Sequence, residues 1–590
     1  MNFKKYFVAA LPALLLASCA SDEPATGGED VNNGKNVYAR IQIQVPTATR
    51  SNTLDKPDGD TNSSAGWEEG KPYENDINNV TIVLATKNDA GQYEAQAYGS
   101  YASNEAMPDP SVENTYTILF QDQDIVELSK QNKPVYVFAY CNTSMGKDAF
   151  TAGDNLDNQI STITGIQAGT GIWEKGNFMM TNAPGKPITE VTLPSEKELL
   201  NSYNSAEKAF NLGTVEVART AARFDYKVVN DNKYQILDAN VNSDGEHAVV
   251  AEIEMVDMIP FNIADKFYTL PRVSADGTSA GWTICGEEVG SMLGSVTPNY
   301  VVSPSSTSKT YFLPLPTAAA NSSYSGLEGY TPINTWYKAA TDDNDDNWTA
   351  ADKTGYKIWC YVTENTIPGI DNQLKGITTG VIFKGKLTNP ANPLMKAAMD
   401  NGKPIYFYNG ICYGDIANLR RVVANLNEDH KMRAQFLKVF GTDGEEYLKF
   451  KYDENGKPVL DENKKYTYVV ADADLKDCTS DQNYDATTGK GIFKILRPDE
   501  TGVYYTYYVY YNRHNDNGNN SVMGPMEFAT VRNNVYKLSV TMVSDFGHTD
   551  DPKDDSEPED PHHPDESPKT YFRVSCHVLP WIVRVNNIEF

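Results

Sequence analysis

Strict alternation marks the first readable element of the chain. In "NVYARIQIQVPTATRSNT", Asn36 to Thr53, the apolar residues Val37, Ala39, Ile41, Ile43 and Val45 alternate with Tyr38, Arg40, Gln42 and Gln44. A period of two predicts a strand with one apolar and one polar face. The pattern stops at Pro46, and Arg50 follows in a small, polar run. "NNVTIVLATKNDAGQYEAQAY" predicts a hairpin: an apolar run at Val80 to Ala85, turn residues Asn88 to Gly91, then a second strand. "KPVYVFAYCN" is a continuous apolar run, which predicts a strand buried on both faces. "GVYYTYYVYYNRHNDNG" reads as an aromatic strand leading into a loop at Arg513 to Gly518, where Asn-Gly and Asp-Asn pairs tolerate positive φ. Helical patterns are few. "SEKELLNSYNSAEKAF" opens with the capping box Ser195 and Glu198, and "ANPLMKAAMDNGK" and "DIANLRRVVANLN" are the others.

A boundary is expected near "GTVEVARTAARFDYKVV", which follows the first predicted helix and opens a new run of strands. The sharpest change of composition comes late. "DFGHTDDPKDDSEPEDPHHPDESPKT", Asp545 to Thr570, is acidic, Pro-punctuated and almost without apolar residues. Too little apolar surface is present to offset the entropy of ordering, so the segment predicts an extended, solvated linker. Beyond it "YFRVSCHVLPWIVRVNNIEF" is apolar again: Phe572, Val574, Cys576 and Val578 alternate, and Ile582, Val583, Val585, Ile588 and Phe590 follow Pro580.

The 590 residues suit two large all-β domains. A formal charge of −28 argues against binding nucleic-acid phosphates or anionic lipid through charge. At the N-terminus, Lys4 and Lys5 precede an apolar run, Phe7 to Ala17, of signal-peptide length and too short to span a bilayer. It ends in "LASC", which resembles a bacterial lipobox with Cys19 as the lipid-bearing residue; the acidic "SDEPATGGED" after it resembles a surface-export signal. The other six cysteines, Cys141, Cys285, Cys360, Cys412, Cys478 and Cys576, form no CxxC pair, so a zinc site is not expected. No HExxH, GxSxG or Gly-rich phosphate loop is present. "DDNDDNW", Asp342 to Trp348, lacks the Gly and the bidentate Glu of an EF-type calcium loop, with Lys353 at the position of that Glu. Carboxylates are too abundant for any pair to mark a glycosidase. The chain is read as a non-enzyme without metal or cofactor.

The two ends of the chain answer each other. A cut after Arg50, between Arg50 and Ser51, would release the strand Val37 to Val45 and leave a groove with unpaired backbone groups. That groove would accept β-strand addition, and Trp581 to Phe590 of another copy could be the donor. Burying about five apolar side chains at roughly 1.5–3 kcal/mol each gives on the order of 8–15 kcal/mol before ordering costs. Head-to-tail contacts of this kind build a fibre. On pattern alone, a plain first strand, a loop arginine and a plain last strand explain the residues as well.

The quoted segments resemble the fimbrillins of type V pili, in particular the major subunit of the minor-fimbrium type. "TATR" before Ser51 resembles the family's Arg-specific processing site, and "KPVYVFAYCN" and "GNFMMTNAP" its N-terminal domain. "VEVARTAAR", with Arg219 and Arg223, resembles its interdomain segment, and "TVRNNVYKLSV", the acidic linker and "VLPWIVRVNNIEF" its C-terminal region. The resemblance implies an all-β protein with few short helices: two transthyretin-like β-sandwich domains plus a C-terminal donor strand. The divisions expected are a signal peptide at 1–18, a propeptide at 19–50, an N-terminal sandwich at 51–212, a C-terminal sandwich at 213–545, the acidic linker at 546–570 and the donor strand at 571–590. The removable strand contributes Val37, Ala39, Ile41, Ile43 and Val45; the donor contributes Trp581, Ile582, Val583, Val585, Ile588 and Phe590. The implied partners are other copies in a head-to-tail polymer, anchor and tip pilins, an Arg-specific protease, and host or bacterial surface ligands. The implied location is a surface fimbria, with a precursor anchored to the outer membrane through lipid (palmitate) on Cys19. Both a cleavable site and a donor tail are present, which suits a repeating stalk subunit. The alternative is a monomeric surface lipoprotein that binds glycans through its tyrosines.

Overall fold

The computed structural model describes residues 36–44, 68–102, 114–121, 124–143, 149–163, 172–241, 246–274, 281–286, 300–304, 313, 329–339, 355–366, 377–478, 493–514, 527–549 and 572–582. The alternating stretch is a strand, β1 (Val37–Gln44), and Val37, Ala39, Ile41 and Ile43 are all buried. The predicted hairpin is β3 (Asn79–Lys87) and β4 (Tyr93–Ala102), in antiparallel register from Asn79–Ala102 to Lys87–Tyr93. With β5 (Thr115–Phe120), β6 (Val135–Cys141), β10 (Met180–Asn182), β11 (Glu190–Val191) and β12 (Phe210–Arg219) they form an eight-stranded sheet, ordered β10-β12-β1-β5-β4-β3-β6-β11. Strand β10 also pairs with β6, so the path from β10 through β1 to β6 closes on itself.

β6 is buried on both faces because the ring separates two cores. Val137 and Ala139 join Ile82, Leu84, Ile118 and the β1 side chains in one core. Phe138 and Tyr140 face the other way and pack with Val83, Phe150, Leu156, Leu270, Ile284 and Cys285. The cover for that outer face therefore comes from both parts of the chain, Phe150 and Leu156 from the first and Leu270, Ile284 and Cys285 from the second. β16 (Lys266–Tyr268) pairs with β7 (Ile160–Thr162), and the Arg272 guanidinium lies between the rings of Tyr268 and Trp282, 3.6 and 3.9 Å from their centres. Arg272 also donates to the Asp157 carbonyl at 2.6 Å. Close by, β17 (Arg272–Ser274) lies between β18 (Thr283–Ile284) and β19 (Tyr300–Val302). A small hairpin, β8 (Trp173–Glu174) with β9 (Asn177–Phe178), brings Trp173 and Phe178 into the main core.

The second half is a sandwich. One sheet runs in the order β2 (Glu68–Glu69), β28 (Phe572–Ile582), β27 (Asn534–Val543), β13 (Ala221–Tyr226), β21 (Lys357–Thr363). The other runs β14 (Lys233–Val241), β15 (His247–Phe261), β22 (Gly380–Thr388), β26 (Tyr505–Tyr511), with β20 (Thr331–Pro332) on β15. Tyr226 and Phe383 meet across the interior, ring centres 5.8 Å apart, and the Tyr234 hydroxyl donates to the Val540 carbonyl at 2.9 Å. The passage between units lies within the expected segment but at Thr220: β12 stays in the first sheet to Arg219, and β13 enters the second at Ala221.

Helices are more numerous than the sequence patterns suggested, seven among the described residues. The capping box at Ser195 and Glu198 starts α3 (Glu196–Ser202), Asn392 caps α5 (Pro393–Asp400) and Asp415 caps α6 (Ile416–Ala424), as expected. The others are α1 (Pro72–Asn75), α2 (Asp124–Lys130), α4 (Ile333–Ala339) and α7 (Lys431–Tyr447). α7 escaped the pattern because Gly441, at φ +56°, kinks it and breaks its period. α5 to α7, with β23 (Ile405–Tyr408), β24 (Ile411–Gly414) and β25 (Lys494–Leu496), form an insertion between the neighbouring strands β22 and β26. The insertion has its own core around Leu419, Phe436 and Phe493. A single sandwich over 213–545 is thus corrected to a sandwich carrying an inserted α/β unit.

At the expected loop, Arg513 and His514 are buried: Arg513 pairs with Glu527, and His514 Nδ1 lies 2.9 Å from the Tyr536 hydroxyl. The sequence reading missed these partners because Glu527 and Tyr536 lie far along the chain. Cys141, Cys285, Cys360, Cys412 and Cys478 are free thiols. Burial pushes Cys141 and Cys285 up to about 12 and Cys412 up to about 11, which suits inert core residues rather than nucleophiles.

Candidate functional site

β1 lies inside the ring, with no free edge. It runs parallel to β12, from Ala39–Phe210 to Gln44–Glu216, and antiparallel to β5, from Val37–Phe120 to Gln42–Thr115. Further bonds tie its ends: Tyr38 N–H donates to the Tyr203 carbonyl and Ile43 N–H to the Asn114 carbonyl, both at 2.9 Å. The Thr214 hydroxyl donates to Gln42 Oε1 at 3.1 Å. Val37, Ile41 and Ile43 are at most 1 % exposed. Removing those three apolar side chains from water contributes on the order of 5–9 kcal/mol. Without β1, β5 and β12 would face each other across roughly 9–10 Å, two strand spacings, each with an unpaired row of N–H and C=O groups. The floor of that gap is the apolar interior of the ring. Tyr116, the partner of Ile41, packs against that interior, and burial raises its phenol.

The chain leaves β1 and next reaches the described structure on the other sheet. β2 lies parallel to the end of β28, with Glu68 beside Trp581 and Glu69 beside Ile582. α1 follows at once and drives Glu74 into a buried ionic cluster. Arg223 Nη1 lies 3.0 Å from Glu74 Oε2, and its other nitrogens reach both oxygens of Asp225 at 2.9 and 2.8 Å. Arg219 donates to the Glu74 carbonyl at 2.9 Å and to Asn533 Oδ1 at 3.1 Å. The Tyr361 hydroxyl completes the shell of Glu74. Burial lowers Arg219 to about 10, with Glu74 opposing the shift, and raises the Tyr361 phenol. Cations at Arg219 and Arg223, within "VEVARTAARF", demand buried acids as partners. That demand is legible in sequence; the identity of Glu74, far upstream, is not.

β28 pairs antiparallel with β27 from Asn534–Pro580 to Val543–Phe572. Trp581 and Ile582, the first two expected donor residues, therefore stand in the chain's own sheet. Val583, Val585, Ile588 and Phe590 lie outside the described residues, as do Cys19, Val45, Arg50 and Ser51. The structure thus brings together Val37, Ala39, Ile41 and Ile43 in one strand and places Trp581 and Ile582 on a different sheet. Among the described residues, no group of three or more His, Cys, Asp or Glu is placed to hold a metal ion.

The family described as "Major fimbrial subunit protein type IV, Fimbrillin, C-terminal" matches residues 502–587, which include β26, β27 and β28. Solved structures similar to this chain include a fimbrilin from Porphyromonas gingivalis, at 12 % identity and TM-score 0.33, over 93 % of this chain and 98 % of that one. A putative cell adhesion protein from Parabacteroides distasonis matches at 10 % identity and TM-score 0.33, over 94 % and 99 %. The tip fimbrial protein Mfa3 from Porphyromonas gingivalis matches at 8 % identity and TM-score 0.31, over 92 % and 100 %. Among curated proteins, none matches the chain. Residues 502–587 carry the likeness: over them this all-β chain matches the C-terminal fimbrillin family.

Proposed function

We propose that the chain is a repeating structural subunit of a surface fimbria, a pilin made as a lipoprotein on Cys19 and cleaved between Arg50 and Ser51. Cleavage releases β1, and the C-terminal tail of a neighbouring copy, drawn from Trp581 to Phe590, takes its place. The observation that carries this reading is the position of β1: paired on both sides by β5 and β12, with its apolar face buried, while the next described strand, β2, belongs to the other sheet. A strand so placed leaves its sheet only if the backbone beyond it is cut. The ring of the first unit then becomes an acceptor, and the product is an open head-to-tail polymer. Arg50→Ala is expected to give a folded, lipidated precursor that stays out of fibres. Normal fibres from that variant, seen by electron microscopy, would put the cut elsewhere.

One observation favours the second reading, a monomeric lipoprotein that binds glycans. In the insertion, bridges pair Phe450 with Tyr468, Tyr452 with Pro458 and Leu460 with Tyr466, and the Phe450 ring lies 5.0 and 5.1 Å from those of Tyr466 and Tyr468. Tyr452 and Tyr466 are 57 % and 52 % exposed. The N-terminal residue of material sheared from cells separates the two: Ser51 supports the pilin, lipid-modified Cys19 the binding module.

A further inference from the structure

The register of the donor strand is written in β12. Burial along β12 is not a plain alternation. Phe210 and Leu212 are buried, Gly213 and Thr214 intervene, and Val215 and Val217 are buried again. Gly213 sits at φ +84°, a conformation open to glycine, so one extra residue bulges there. β1 keeps strict alternation and breaks register at that point: Arg40 faces Asn211, but Gln42 faces Thr214.

Residues 583–590, "VRVNNIEF", repeat the pattern of Phe210 to Val217, "FNLGTVEV", position for position. Both have apolar residues at the first, third, sixth and eighth places, with a non-apolar pair between the two halves. We infer, resting on the donor-strand reading above, that residues 583–590 of a second copy lie parallel to β12, with Val583, Val585, Ile588 and Phe590 beside Phe210, Leu212, Val215 and Val217. Asn586 and Asn587 then lie beside Gly213 and Thr214, bulge against bulge. Relative to β1, Val583 takes the site of Ala39, Val585 that of Ile41 and Ile588 that of Ile43.

The other wall of the groove permits the extra residue. β5 pairs with β1 only as far as Gln42–Thr115, and its last bond is from Ile43 N–H to Asn114, a residue at φ +60°. The first half of the donor thus has two walls, and its irregular step falls where β5 ends. β12, which continues, meets a strand of its own period. The donor is therefore matched to the longer wall where β1 is not, which favours exchange. Neighbouring registers are worse. A shift of two residues in either direction sets Asn587 at the site beside Leu212 or Asn586 at the site beside Val215, burying an amide among apolar side chains. A shift of one turns the apolar set outward. On the outer face this register puts Arg584 beside Asn211 and Glu589 beside Glu216, whose carboxylate lies 3.1 Å from Lys186 Nζ.

The test is cross-linking between intact processed subunits. Asn211→Cys is combined in turn with Arg584→Cys, with Asn586→Cys and with Ile582→Cys, the last two being the partners demanded by the shifted registers. Oxidation should give a ladder of disulfide-linked multimers from the Arg584→Cys pair and none from Asn211→Cys alone. A ladder from either shifted pair, with none from Arg584→Cys, overturns the register and leaves strand exchange standing. Fibres that form with no cross-link from any pair overturn both. A disulfide closed within one chain assigns the tail to its own groove and overturns the second copy as partner. Deleting Asn587 restores strict alternation to the tail and is expected to lower the yield of polymer at least tenfold; an unchanged or higher yield overturns the match of bulges.

Discussion

β1 and β28 are both alternating strands near the ends of the described chain, yet they are held differently. β1 has a neighbour along most of its length on each side. β28 has β27 along one side and, on the other, among the described residues, only the two residues of β2 at its far end. The difference separates two kinds of terminal strand. One is embedded, and its loss opens a closed sheet between two long walls. The other lies beside a short edge strand and ends the described chain at Ile582. On the proposed function, the embedded strand is the leaving group and residues 583–590 are the donor, so the strand released and the strand offered belong to opposite units of one subunit. Deleting 583–590 tests this contrast at full strength. The processed subunit should keep its far-ultraviolet spectrum, accept a neighbour's tail and offer none, so that fibre length falls in proportion to its share in a mixture. A truncation that unfolds the monomer would make those residues part of the home fold and end the contrast.

A substitution inside each strand comes next. Ile41→Asp places a carboxylate in the interior of the ring and should destabilise the precursor by about 4 kcal/mol or more. After cleavage the altered residue is gone, and the processed subunit should unfold at the wild-type denaturant concentration. Leu538→Asp, on β27 opposite Cys576 of β28, should weaken precursor and processed subunit alike. If Ile41→Asp still weakens the purified processed subunit, β1 has not left.

How much of this was legible in the sequence follows from the range of the interactions. Strict alternation disclosed β1, the Asn88 to Gly91 turn disclosed the β3–β4 hairpin, a capping box disclosed α3 and helical patterns disclosed α5 and α6, because each of these is a local signal. The closure of the ring was not legible, since it depends on β10 pairing with both β12 and β6. The insertion was hidden for a related reason: β22 and β26 are neighbours in space, and nothing local says so. At the site, the apolar face of β1 could be read directly, but its two walls could not. The Asn586-Asn587 pair interrupts the tail's alternation, and the bulge at Gly213, its proposed counterpart, depends on a register that no local signal shows.

The cluster around Glu74 offers a smaller and more even effect. It ties the segment after β2 to Arg219, at the end of β12, and to Arg223 and Tyr361 of the second unit, and none of these residues lies on β1. Glu74→Ala removes a carboxylate that pairs with Arg223 and accepts from the Tyr361 hydroxyl. Removing one member of a buried ionic set typically costs about 3–5 kcal/mol. The loss should be equal in precursor and processed subunit, measured as the midpoint of urea unfolding. A loss confined to the precursor would show that the cluster is braced by β1, and the two units would not be energetically separate.

The finest comparison is residue by residue, in amide exchange. In the precursor, amides of β5 and β12 that bond to β1 are protected by the closed ring. Cleavage and departure of β1 leave those groups facing the gap, where water reaches them without any unfolding of the sheet. Amides at Thr115 to Ile118 and Phe210 to Val215 that pointed at β1 should then exchange about 100-fold faster, equivalent to about 2.7 kcal/mol of lost protection. Docking of a neighbour's tail should restore it, so fibres should resemble the precursor at these positions. Amides shared between Val535 to Val540 of β27 and Val574 to Leu579 of β28 should not change through the three states, because that pairing is made within one chain and stays there. Protection in the β27–β28 pair that falls on assembly would mean that β28 itself leaves home and that the donor begins upstream of Trp581. Protection in β5 and β12 that survives cleavage would mean that β1 remains docked after its backbone is cut, and that an incoming tail must displace it rather than fill an open groove.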